Sequence, residues 1–197
     1  MFAFLLIIAI AHANKLLDIV QTDYTNEIPV VFHKYEYNKC YQWGVLGSIK
    51  FVKKEDTVTK VKYYKDDCSG DNFETPVEYS NSTLGYKDVE KDPDHIAFRN
   101  SYVDADCTKK DNVERMYYAE NVFVMDNEYY RYDVEEIHHK SDYFFMYRCL
   151  DGAACKQYEV VQTIGECHKC PSTHQYLECA SAPLLVLLTL TLFLLLI

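Results

Sequence analysis

Eight cysteines, Cys40, Cys68, Cys107, Cys149, Cys155, Cys167, Cys170 and Cys179, restrict this chain more than any other feature of its 197 residues. In an oxidising compartment an even count reads as disulfides, four at most, each restraining the unfolded chain. About a hundred pairings are open to eight cysteines, and spacing does not choose among them. In a reducing compartment the same residues would instead suggest metal or redox chemistry, so the expected compartment decides the reading.

The two ends speak to that compartment. Met1 to Ala13 holds an apolar core, Phe2 to Ile10, followed by Ala11-His12-Ala13, the small-x-small pattern of a signal-peptidase site. No Lys or Arg precedes the core. Residues 1–13 are therefore expected to be a cleaved signal peptide, leaving Asn14 first. At the other end, residues 183–197 are an apolar tail with no charge within or after it. A membrane-spanning helix is usually fixed by Lys or Arg on its cytoplasmic side. A bare tail behind small residues fits a glycolipid (GPI) attachment signal instead, with a retained single-pass helix as the alternative. Ala180 or Ser181 is the expected attachment residue; Ser172 gives a better polar spacer but would discard Cys179 and leave an odd count.

Between the ends, residues 14–166 have the length of one β-rich domain, and 167–182 read as a cysteine-containing stem. This middle carries every Asp, Glu, Lys and Arg, hence the whole formal charge of −10. Such a surface repels nucleic acid, which is excluded as a partner. Asn81-Ser82-Thr83 is the glycosylation sequon, expected on an exposed loop.

The fold class is expected to be mainly β, an antiparallel sandwich or irregular barrel with disulfides. Eighteen Tyr and ten Phe set against six Gly and five Pro favour strands. Val61 and Tyr63 alternate with Lys60 and Lys62, and Tyr130, Tyr132 and Val134 alternate with Arg131, Asp133 and Glu135. Tyr143, Phe145 and Tyr147 oppose Phe144, Met146 and Arg148, the pattern of a strand covered on both sides. Lys54-Glu55-Asp56, Asp126-Asn127 and Asp151-Gly152 are the expected turns. Leu16–Gln21 and Val134–Lys140 compete as helices. Tyr64–Ser69 and Tyr102–Thr108 form a faint repeat around Cys68 and Cys107, with Tyr147-Arg148-Cys149 as a looser third copy.

No catalytic elbow, zinc helix or phosphate loop is present in the sequence. Cys167-His168-Lys169-Cys170 has redox spacing, but no second C-x-x-C completes a zinc site and no strand-to-helix context lowers a thiol pKa. His138-His139 are adjacent and point apart, a poor metal clamp. Asp66-Asp67, Asp71 and Asp104–Asp106 lack calcium-loop spacing. No metal or cofactor is expected. The tyrosine clusters Tyr35/Tyr37/Tyr41/Trp43 and Tyr129/Tyr130/Tyr132 suit either a sheet core or a surface that binds protein or carbohydrate.

Abundant Lys, Tyr, Asp and Asn, sparse Gly and Pro, and scattered cysteines make the chain similar in style to small secreted or surface proteins of amoeboid protists. That resemblance implies a lineage-restricted cell-surface protein. The expected function is recognition, adhesion or coat at the outer face of the plasma membrane. Thiol–disulfide exchange through Cys167 and Cys170 is the alternative.

Overall fold

The computed structural model describes residues 15–43, 47–79, 83–100, 107, 114–137, 141–170 and 175–180. The signal-peptide segment, Asn81, Asp104–Asp106, His138, His139, Ser172, Ser181 and the apolar tail lie outside these residues.

The described chain is built from antiparallel strands, without an α-helix. Strands β1 (Lys15–Thr22) and β2 (Pro29–Glu36) are interior neighbours in a six-stranded sheet. A first meander follows: β3 (Cys40–Gln42), β4 (Ser48–Lys54), β5 (Thr57–Tyr63) and β6 (Asn72–Pro76). Strands β7 (Gly85–Val89), β8 (Ala97–Asn100) and β9 (Arg115–Tyr118) return to the large sheet. A second meander comprises β10 (Phe123–Met125), β11 (Glu128–Ile137), β12 (Ser141–Cys149) and β13 (Tyr158–Glu166). Finally β14 (Leu177–Cys179) closes the large sheet, whose order is β14-β8-β9-β2-β1-β7.

Leu16–Gln21 is thus a strand, and Val134–Ile137 continues β11 as one. Their helical look has two causes. Leu16 and Leu17 are buried on opposite faces, which erases alternation. Val134 and Ile137 are three apart, a spacing that suits one helix face although in a strand it spans both. In the fold Val134 pairs with Phe144 and Ile137 with Ser141. The expected turns carry the chain around. Glu55, Asp126, Asn127 and Gly152 all have positive φ, and Asp126-Asn127 takes it at both central positions of a two-residue hairpin, as a type I′ turn requires.

Alternation along β2 explains how one strand serves three apolar clusters. Val31, His33 and Tyr35 point to one face; Val31 joins the second meander's core (Tyr118, Phe123, Tyr132, Phe144), and Tyr35 joins the first meander's (Leu16, Tyr41, Ile49, Phe51). Phe32 points the other way and packs with Leu17, Ile19 and Tyr117. Strand β12 is buried on both faces, through Phe144 on one and Phe145 and Tyr147 on the other.

The second face of the large sheet is covered by the link from β7 to β8. These strands are separated in the sheet by β1, β2 and β9, so residues 90–96 must cross them. Asp92 accepts hydrogen bonds from Lys15 Nζ (2.9 Å) and Lys34 Nζ (2.8 Å), while the His95 ring meets Tyr117 edge-on at 4.9 Å. This strap shields Leu17 and Phe32, both almost fully buried.

All eight cysteines are bridged. Cys40–Cys68 ties the first meander and Cys149–Cys155 the β12–β13 turn. Cys107–Cys170 and Cys167–Cys179 join the end of β13 to the large sheet's side. Residues 175–180, expected as a stem, instead belong to that sheet: Leu177 and Cys179 pair with Arg99 and Ala97, and the Ala180 amide donates to the Ile96 carbonyl at 2.7 Å.

Burial alone would raise the Asp92 carboxyl, but the two ammonium groups outweigh it and hold it below the usual carboxylate range. A depressed native pKa adds stability above the unfolded value, near pH 4, that is lost as acid protonates the folded group. Asp92→Asn is expected to cost about 1 kcal/mol at neutral pH and to remove part of the acid-induced loss. Denaturant melts of both proteins from pH 7 to pH 3 measure this, and parallel curves would count against the strap's clasp.

Candidate functional site

Three polar or apolar assemblies stand out once the strands are in place. The first lies on the large sheet's inner face, under the first meander, whose apolar cluster takes in Tyr35 and Tyr86. Alternation places Asp18 on β1 and His33 and Tyr35 on β2 on that face, with Tyr86 of β7 opposite Asp18. The Tyr35 hydroxyl donates to Glu114 Oε1. His33 Nδ1 lies 3.1 Å from the Arg115 carbonyl, so this nitrogen carries a proton, and 3.7 Å from Glu114 Oε1. Lys60 Nζ donates to the Tyr86 hydroxyl at 2.7 Å.

Burial, then the Glu114 carboxylate, pushes the Tyr35 hydroxyl well above its ordinary pKa, and burial with Asp18 does the same for Tyr86. Such hydroxyls stay protonated at neutral pH. They act as fixed hydrogen-bond donors and are poor bases or nucleophiles. The site's chemistry is therefore that of a polar clamp holding the first meander to the large sheet, through Lys60 of β5 on Tyr86 and the Glu114 amide on the Gln42 carbonyl (3.0 Å).

A second assembly fastens β7 to the first meander. Asp88 accepts from Tyr37, from Tyr79 (3.0 Å) and from Lys53 (2.6 Å). Burial would raise its carboxyl, but Lys53 and the two hydroxyls hold it low.

The third is an apolar corner where β1 ends. A register shift between Ile19 and Gln21 frees Val20 from the ladder, a β-bulge that leaves its side chain 51% exposed. Asp23 then fixes the turn: its carboxylate accepts from the amides of Glu27 (2.9 Å) and Ile28 (3.0 Å) and from the Thr25 hydroxyl (2.6 Å). These donors outweigh the effect of burial and keep the carboxyl below its usual range. Tyr24, 48% exposed, is held by its amide bond to the Val122 carbonyl and by an edge contact with Tyr129. Val20, Tyr24, Leu84 and Val124 line a cleft of about 470 Å³, with Gln21 and Asn26 as polar neighbours.

The sequence-derived sites fare unevenly. Of the tyrosine clusters, Tyr35, Tyr41, Tyr130 and Tyr132 are core residues, whereas Trp43 is 45% exposed. Cys167 and Cys170 are brought near each other but belong to different bridges. Asp67 is occupied as a turn acceptor for the Ser69 amide and hydroxyl. Among the described residues no three His, Cys, Asp or Glu side chains are grouped to hold a metal ion. Sequence reasoning missed the apolar corner, whose parts come from positions 20–26, 84 and 124.

Burial raises several other hydroxyls, Tyr41 and Tyr132 to about 12. An acid whose native pKa is raised gives stability that is complete below the unfolded value, about 10 for Tyr, and is lost as pH climbs towards the native one. The fold is expected to melt cooperatively above about pH 10. Absorbance at the phenolate band and far-UV circular dichroism should then change together. Gradual ionisation of most tyrosines in a still-folded chain would contradict the clamp. No protein-family model, curated protein or solved structure matches the chain.

Proposed function

We propose that this is an exported protein, displayed on the outer face of the plasma membrane through a C-terminal lipid anchor, and that it acts by recognising a protein or carbohydrate ligand. The observation that carries the recognition reading is the exposed corner of Val20, Tyr24, Leu84 and Val124 around one cleft. Clustered apolar side chains are held in water there by a rigid turn, as on interaction surfaces. Four bridges and no free thiol among the described residues support an oxidising compartment. The apolar ends of the sequence supply the route and the anchor.

Thiol–disulfide exchange finds less support. An exchanger's C-x-x-C sulfurs bridge each other when oxidised, whereas Cys167 is bonded to Cys179 and Cys170 to Cys107.

Treating intact cells with a phosphatidylinositol-specific phospholipase tests the display. The protein is expected in the medium; retention beside a released control protein sinks the anchor and favours a spanning tail. Val124→Asp, at an exposed position, is expected to leave the melting transition within about 0.5 kcal/mol while weakening ligand binding about tenfold or more. The readout is binding of labelled protein to cells and to a glycan array, and unchanged binding by the variant counts against the corner.

A further inference from the structure

Away from the apolar corner, a second cleft of about 550 Å³ opens where β13 meets β8 and β14, and its lining is assembled by register. Arg99 on β8 pairs with Met116 of β9 on one side and Leu177 of β14 on the other. These three side chains form a row across the large sheet, facing the second meander. From the other side come Ile164 and Gly165 of β13. A register shift makes Ile164 a bulge residue, and Gly165 leaves space that a Cβ would narrow to 3.4 Å from Leu177 Cδ2.

Arg99 is the anomaly in this row. Met116, Leu177 and Ile164 all pack on the main apolar core. A partly buried guanidinium there calls for an anionic partner, because an unpaired charge is costly away from water. Among the described residues no carboxylate lies within ion-pair distance of Arg99. Its Nη2 has the Met116 thioether at 3.9 Å. The hydroxyl of Tyr118, a buried residue, turns to the same sulfur at 3.1 Å. Two strong donors thus converge on one weak acceptor. The remaining charges of the cleft are Glu166 and exposed Lys169, 3.8 Å apart and offsetting each other, which leaves Arg99 as the net charge in a molecule of formal charge −10.

We propose that this cleft binds a small amphiphilic anion, with a carboxylate or similar headgroup on the Arg99 guanidinium and an apolar body against Ile164 and Leu177. The headgroup gains a charge-assisted pair with a partly buried guanidinium, and the body has the volume and apolar walls of an ordinary ligand pocket. The site shares no lining residue with the apolar corner and does not depend on the recognition reading.

The test is a calorimetric titration of the oxidised full chain in neutral detergent with 4-phenylbutanoate and with its uncharged counterpart 4-phenylbutanamide. The carboxylate is expected to saturate one site about tenfold more tightly than the amide. Arg99→Gln should abolish that preference while leaving amide binding unchanged, and Ile164→Trp should remove both. Equal affinity of the two compounds, no saturation by either, or a preference that survives Arg99→Gln overturns the proposal. The wild-type comparison stands even where a variant fails to fold. A second arm places the chain in bilayers with and without phosphatidylglycerol. Unchanged phenylbutanoate binding is expected, and its displacement by the anionic lipid would overturn a free small molecule in favour of a membrane headgroup.

Discussion

A sheet that is apolar on both faces must be covered twice, and every other feature of this molecule answers that requirement. The alternation of Val31, His33 and Tyr35 against Phe32 on β2 creates two greasy surfaces on one ribbon. One receives the two meanders side by side. Neither meander covers the face alone, and beneath the first of them polar side chains share the face with the apolar cluster: Asp18, His33, Tyr35, Tyr86 and Glu114. The other face receives a strap of a few residues in place of a third layer. So thin a cover works because two lysines and an aromatic ring grip it from the sheet beneath.

Disulfides finish what the small core begins. Burial in a domain of this size leaves only a modest surplus over chain entropy, and cross-links act on the unfolded side of that balance. Two bridges close local loops. The other two, with sequence separations of 63 and 12, join the second meander to the large sheet, beside the backbone bond from the His168 amide to the Leu177 carbonyl.

Much of the β character was legible in the sequence because it resides in local alternation. Tyr130, Tyr132 and Val134 read correctly, and so did the two-sided pattern of Tyr143–Arg148. The turns at Glu55-Asp56 and Asp126-Asn127 were legible because small or polar residues tolerate positive φ. The N-terminal strand misled because burial of both faces erases alternation: Leu16 and Leu17 are neighbours, yet each is buried in a different core. The faint cysteine repeat has a geometric counterpart. Cys68 sits between β5 and β6, Cys107 between β8 and β9, and Cys149 opens the turn from β12 to β13, each in an antiparallel pair. Neither cleft was legible. Val20, Leu84 and Val124 are neighbours through strand order alone, and nothing in the residues around Arg99 announces that its cross-strand partner is a thioether.

Placement of the last bridge also sets how the molecule bears force. Ala180 is hydrogen-bonded to Ile96, and one residue earlier Cys179 is welded to Cys167. Tension applied beyond Ala180 therefore does not peel the three-residue β14 from its edge as a free strand would peel. It passes through sulfur into the end of β13 and, by way of Cys170, to Cys107 in the link between β8 and β9. Any tether at this end pulls on both layers at once, so the load is shared by covalent links before a single strand pair has to shear.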